Sequence, residues 1–153
     1  MKRIFLIAVF LVLSALAVRW FVLEFIISDE TKIRWIVEDA TENLIERNLL
    51  GLFSDFSSSY TDDSGLDLPT LQALTYRFLG RVSGVEATAQ VRQVLVEGDR
   101  AEVEIEAFVI PLRDGIRQTE LFGNRRGTNS FIVHFRIENG RWKVFQSNRP
   151  RVD

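Results

Sequence analysis

The first 28 residues read MKRIFLIAVFLVLSALAVRWFVLEFIIS, almost wholly apolar, and the chain then turns abruptly charged and globular. A chain built this way has one hydrophobic stretch that delivers one small domain to a membrane or across it. Ile4 to Val18 is 15 residues with Ser14 as its one polar member, preceded by Lys2 and Arg3. A basic start and a short apolar core are the marks of a signal peptide, and Ala15-Leu16-Ala17 supplies a small-x-small cleavage pattern. The apolar character nevertheless resumes past Arg19, through Trp20 to Leu23 and Phe25 to Ile27. As a helix rising about 1.5 Å per residue, residues 4–27 span about 36 Å, enough for a hydrocarbon core about 30 Å thick. Cleavage after Ala17 would leave a greasy new N-terminus with nothing to bury it.

Arg19 and Glu24 oppose insertion, since a charge at the bilayer centre costs roughly 2.5–3.5 kcal/mol. Both lie in the last third, where Arg19 can snorkel and Trp20 suits the interface. The expectation is an uncleaved single-pass anchor. Lys2 and Arg3 hold its start in the cytoplasm, so the domain lies on the periplasmic or extracellular side. The chain has no cysteine, which excludes disulfides, thiolate metal sites and lipid attachment through an N-terminal Cys.

The segment after the anchor is long enough for one domain with a real core. Its charge is divided: residues 29–106 carry a net −9 and residues 107–153 a net +5. The two halves are expected to pack together, with opposite charges meeting across neighbouring strands, rather than to bind nucleic acid.

Ser28-Asp29-Glu30 is a helix start, a capping side chain followed by acids in the first turn. Ile33, Ile36, Val37, Ala40 and Leu44 follow at helical spacing, and the helix should end near Arg47-Asn48. Leu49 to Phe56 (LLGLFSDF) reads as a second, short helix, and SSSYTDDSG as a polar loop. Asp67-Leu68-Pro69 opens a third helix, with Leu71, Leu74 and Phe78 as its buried stripe and Gly80 as its stop. From about Val85 the period becomes two. Ala101, Val103, Ile105, Ala107 and Val109 form one face of a strand, and Phe131, Val133, Phe135 and Ile137 one face of another. Asn139-Gly140 predicts a type I′ hairpin turn leading to Trp142, Val144 and Phe145. Helices followed by strands mean α+β, with the helices on one face of an antiparallel sheet.

This order, with the strand VEGDRAEVEIEA and the ending ENGRWKVF, resembles the nuclear transport factor 2-like superfamily, which includes ketosteroid isomerase and SnoaL-type cyclases. The likeness covers residues 29–149 and implies a strongly curved, mainly antiparallel sheet wrapped round three helices. That shape is a cone with a pocket at its wide end. The expected organisation is an anchor at 1–28, this domain at 29–149 and a tail at 150–153.

The superfamily's enzymes place an Asp, His or Tyr in the cone for acid–base chemistry. The matching candidates here are Tyr60 and Asp62 in the SSSYTDDSG loop, with Asp63 beside them, and Tyr76 on the third helix. Each also has an ordinary role, as a packed ring or a turn residue. His134 should point away from the Phe131–Phe135 face and reads as a sheet-surface residue. Arg113, Arg117, Arg125 and Arg126 are candidates for an anion-binding rim that could face anionic lipid heads. Glu102, Glu104 and Glu106 share a strand face, but alternate strand acids more often pair with cations on the next strand than hold a metal. The chain lacks the Walker, G-x-G-x-x-G, G-x-S-x-G and HExxH patterns, so no cofactor or metal is expected.

The function expected from these residues is a membrane-tethered, non-cytoplasmic binding or interaction module without catalysis. Its expected partners are the membrane through residues 4–27, a small hydrophobic ligand or a protein, and a second copy through the sheet. The alternative is a small lyase or isomerase using Tyr60, Asp62 or Tyr76 on a hydrophobic ligand in the cone. A further one is a structural subunit of an envelope complex, similar in layout to the assembly-factor subunit of type IV secretion systems.

Overall fold

A computed structural model of the chain describes residues 12–14, 27–118 and 128–148. The expected anchor falls outside these residues except for 12–14, which are helical, and Ile27. No helix among the described residues is long and apolar enough to cross a membrane.

The order is α1 (Asp29–Ile45), α2 (Leu49–Leu52), β1 (Phe56–Asp62), α3 (Leu68–Leu79), β2 (Gly84–Glu97), β3 (Arg100–Arg113), β4 (Ile116–Arg117), β5 (Thr128–Glu138) and β6 (Arg141–Asn148). The fold is α+β. Its curved sheet runs β1-β6-β5-β3-β2, with β4 pairing β3. All pairings are antiparallel except β1 with β6.

Local chemistry sets the helix ends. Ser28 caps α1 by accepting from the Thr31 amide, and Glu30 pairs with Arg34 at 2.8 Å. Asp67 caps α3 by accepting from the Thr70 amide, with Pro69 in the first turn and Gly80 at the end. Asn139 and Gly140 both take positive φ, 51° and 76°, as a type I′ turn requires.

Three local expectations are corrected. LLGLFSDF is helical only over one turn, and Phe56 already opens β1. The SSSYTD segment, and with it Tyr60 and Asp62, is a strand rather than a loop. Its parallel partner β6 lies at the far end of the chain, and Ser57 is satisfied by Glu138 and Arg136 of β5, the next strand beyond it. In α3, Leu74 is exposed and Leu79 is buried instead. The helix packs at its two ends on separate clusters, Leu71 on one and Phe78 and Leu79 on the other, and Leu74 lies between them.

Two bulges bend the sheet and change which side chains face inward. On β2, Val91 opposes Ile105 and Gln93 opposes Glu104, so Arg92 is the extra residue. The inward set therefore passes from Val85, Ala87, Ala89 and Val91 to Val94, which packs on the core. Arg34 donates to the Val91 carbonyl at this bulge, 3.1 Å away, and so ties α1 to it. On β6, Phe135 opposes Val144 and His134 opposes Gln146, which leaves Phe145 as the extra residue. Trp142 and Val144 point inward before it, and Ser147 points inward after it.

The main core joins Ile33 and Val37 of α1 to Tyr60, Val103, Ile105, Phe135, Trp142 and Val144. The Trp142 indole N–H donates to Asp29 at 3.0 Å and fastens the β5–β6 hairpin to the first turn of α1. A second cluster, Leu79, Val82 and Val85, gathers under Leu44 and Phe78.

Candidate functional site

Between the two clusters lies a chamber of about 430 Å³ under α1. Its roof is Ile36, Val37, Ala40 and Leu44, and its floor is Ala89, Ile105, Ala107, Val109, Phe131 and Val133. The chamber is open because small residues meet where two strands cross it. Ala89 and Ala107 are direct cross-strand partners on the floor, and Ala40 faces them from α1. Phe131 and Val133, expected to be buried, are half-buried because they line this space. Gly51 lies at its edge, where a Cβ would collide with the side chain of Asn43. The size falls within the range of about 300–1,000 Å³ typical of small-molecule sites.

One polar feature is set deep in this wall. Tyr60 is 5% exposed, and its hydroxyl lies 2.7 Å from Ser147 Oγ. Both residues line the chamber. The bulge at Phe145 delivers Ser147, since unbroken alternation from Trp142 would have turned Gln146 inward instead. Burial pushes the Tyr60 phenol above its ordinary value, aided by the charges of Asp62 and Asp63 and opposed by the Ser147 hydrogen bond. The phenol therefore stays protonated at neutral pH. The pair shares one hydrogen between its oxygens and keeps a second hydroxyl hydrogen to offer a ligand.

The other polar groups lining the chamber are occupied or lie at its edge. Thr41 donates to the Val37 carbonyl at 2.8 Å. Asp55 is held by Lys143 at 3.1 Å. Asp39 is exposed on α1. No histidine lines the chamber among the described residues, and no group of three His, Cys, Asp or Glu there could hold a metal.

Of the sequence candidates among the described residues, the structure brings only Tyr60 into this space. Asp62 Oδ1 accepts from the amides of Ser64 and Leu66, at 2.9 and 2.7 Å, and shapes the turn before α3. Tyr76 is 69% exposed and is not among the lining residues. Arg113 is exposed at the end of β3, and Arg117 on β4 pairs with Glu86 at 2.7 Å. Arg125 and Arg126 lie outside the described residues. His134 sits on the opposite sheet face, its ring 6.1 Å from that of Phe145 and 3.9 Å from Glu102. Glu106 pairs with Arg92 across β2 and β3. Ser147 and the alanine floor had no signal in the sequence, because both depend on a bulge and a cross-strand register.

A curved mixed sheet packed on one long helix is a fold that solved structures share. A nuclear transport factor 2-like protein with a cystatin-like fold from Novosphingobium aromaticivorans matches with a TM-score of 0.62 and 19% identity, over 92% of this chain and 90% of that one. The chain has the nuclear transport factor 2-like fold. A domain of unknown function with a cystatin-like fold from Nostoc punctiforme matches at 0.63 and 15%, over 80% and 76% of the two chains. A conserved protein from Planctomyces limnophilus matches at 0.60 and 16%, over 79% and 94%. At these identities the likeness concerns the fold alone. No family profile matches the chain, and no curated protein matches it.

Proposed function

We propose that this domain is a non-catalytic binding module, tethered at the outer face of a membrane by residues 4–27, whose chamber takes a small, largely apolar molecule. The observation that carries the reading is the chamber's lining. Apart from Thr41, Thr88 and the edge carboxylates of Asp39 and Asp55, it is apolar around one buried hydroxyl pair, and that pair holds a protonated phenol whose hydrogen-bond partner is a hydroxyl. Proton transfer needs a partner within hydrogen-bond reach and a pKa near the working pH. Tyr60 has a hydroxyl for a partner and a pKa moved upward. It is suited to hold a ligand oxygen in place.

The test is binding of an uncharged apolar fluorophore, N-phenylnaphthylamine, to the domain. Wild-type protein should bind it saturably. Ala107→Phe fills the floor and should abolish binding while leaving the circular dichroism spectrum and cooperative unfolding intact. A wild-type domain without saturable binding, or a folded Ala107→Phe variant that binds as well, overturns the reading.

A further inference from the structure

A second hollow, of about 440 Å³, lies beside the chamber, between α1 and the β5–β6 hairpin. It is lined by Asp29, Lys32, Trp35, Ile137, Arg141 and Trp142, together with Ile36, Asp39 and Asp55, and these last three also line the chamber. The two spaces therefore adjoin along one ridge of side chains. Lys32, Trp35 and Asp39 recur at helical spacing, so one face of α1 forms a wall of this groove from its first turn toward the chamber.

We infer that this groove rests on the bilayer and is the portal through which a membrane-dissolved ligand enters the chamber. The inference rests on the tethered binding reading above. Three observations support it. The groove begins at Asp29, two residues beyond the apolar stretch that ends at Ile27, so a tether there holds this end of the domain against the lipid. Ser28 is extended, with φ −62° and ψ 150°, so α1 starts as a new helix and its axis is not forced to follow an anchor helix away from the membrane. Trp35 is 45% exposed and Ile137 39%, although the domain has a core that buries comparable side chains. From Asp29 to Trp35 the helix rises about 9 Å at about 1.5 Å per residue, a short reach from the tether. An indole at that height suits the membrane interface.

The groove's charges are balanced. Lys32 is held by Asp29 at 3.3 Å and Asp55 by Lys143, leaving Asp39 and Arg141 as one charge of each sign. Contact with the bilayer is therefore made by Trp35 and Ile137 and does not need anionic lipid.

The experiment uses the full chain in vesicles of phosphatidylcholine alone. Trp20→Phe leaves Trp35 and the buried Trp142 as the tryptophans. Brominated phosphatidylcholine should quench this variant, and the further change Trp35→Phe should remove the quenched component. In parallel, N-phenylnaphthylamine dissolved in the vesicles should load the wild-type chamber. Trp35→Ser with Ile137→Ser should slow loading by about tenfold, within the one to three decades over which association rates differ between variants. The equilibrium affinity for the same fluorophore in detergent solution should not change. An unquenched Trp35, quenching only when phosphatidylglycerol is added, or an unchanged loading rate each overturns the portal. Failure of the fluorophore to bind in detergent overturns the binding reading instead, and the quenching experiment still reports the membrane contact.

Discussion

Tyr60 and Ser147, 87 residues apart in the chain, share a hydrogen bond of 2.7 Å in the wall of the chamber. The bond crosses from β1 to β6, the one parallel pairing in the sheet, and it holds the edge strand to its neighbour at the chamber. A net stability contribution of about 0.5–1.5 kcal/mol is expected for such a bond. Tyr60→Phe should reduce the stability to denaturant by that amount without changing the fold.

The same residue fixes a pH dependence. Its folded pKa lies above the ordinary 10.0, so the neutral phenol is favoured in the folded state. The stability this gives is fully present below the unfolded value and is lost as pH rises through the folded one. Denaturation midpoints should therefore fall above pH 10.0, and tyrosinate absorbance should show one late-titrating group. Tyr60→Phe should remove both the late group and its share of the alkaline loss.

Glu138 sets the opposite limb. The Ser57 hydroxyl, then the Arg136 guanidinium, hold its carboxyl below the usual value of 4.5. A depressed carboxyl stabilises the fold above its unfolded pKa, and that contribution disappears as pH falls through the folded one. Glu138→Gln should flatten the acid limb of the stability profile. Ser57→Ala should flatten it less, because Arg136 remains.

Strand facing gives a contrast on β3. Val103 is fully buried between α1 and the sheet, whereas Glu104 is exposed on the other face. Val103→Asp buries an unpaired carboxylate, at a cost that rivals a total stability of about 5–15 kcal/mol. It should leave the domain unfolded. Glu104→Gln should change stability by no more than about 0.5 kcal/mol. Urea denaturation of the two variants checks the assignment, and similar effects would reverse it.

The elements of the fold were readable where the signal is local. The caps at Ser28 and Asp67 and the Asn139-Gly140 turn stand where their side-chain chemistry places them. The alternation in β3 likewise set which of its side chains are buried. β1 was hidden because SSSYTD is polar and finds its partner only at the other end of the chain. The site was less legible than the fold. Tyr60 could be singled out as a residue type, but Ser147 reaches it only through the bulge at Phe145, which no periodicity announces. The chamber itself depends on Ala89 facing Ala107, a register that two separate alternating strands do not specify.

Function and chemistry separate in one set of variants. Tyr60→Phe, Asp62→Asn and Tyr76→Phe keep shape and remove only proton chemistry. If the domain binds rather than catalyses, each should fold, Asp62→Asn and Tyr76→Phe should fully complement a deletion of the gene, and Tyr60→Phe should lose no more than the one hydrogen bond its hydroxyl offers a ligand. An enzyme that used one of them as general acid or base would lose about 10²–10⁴-fold in rate. Complementation would then fail for that variant alone. Tyr60 is the decisive position, because Asp62 is engaged by turn amides and Tyr76 faces solvent. A well-folded Tyr60→Phe protein that binds N-phenylnaphthylamine normally yet loses complementation entirely, more than one ligand hydrogen bond accounts for, would support the lyase or isomerase alternative. The tether supplies the converse arm. Removing residues 1–27 should abolish complementation by a module that takes its ligand from the bilayer, even when the released domain is exported, folded and able to bind the fluorophore. Retained function in the released domain would show that its ligand reaches it through water.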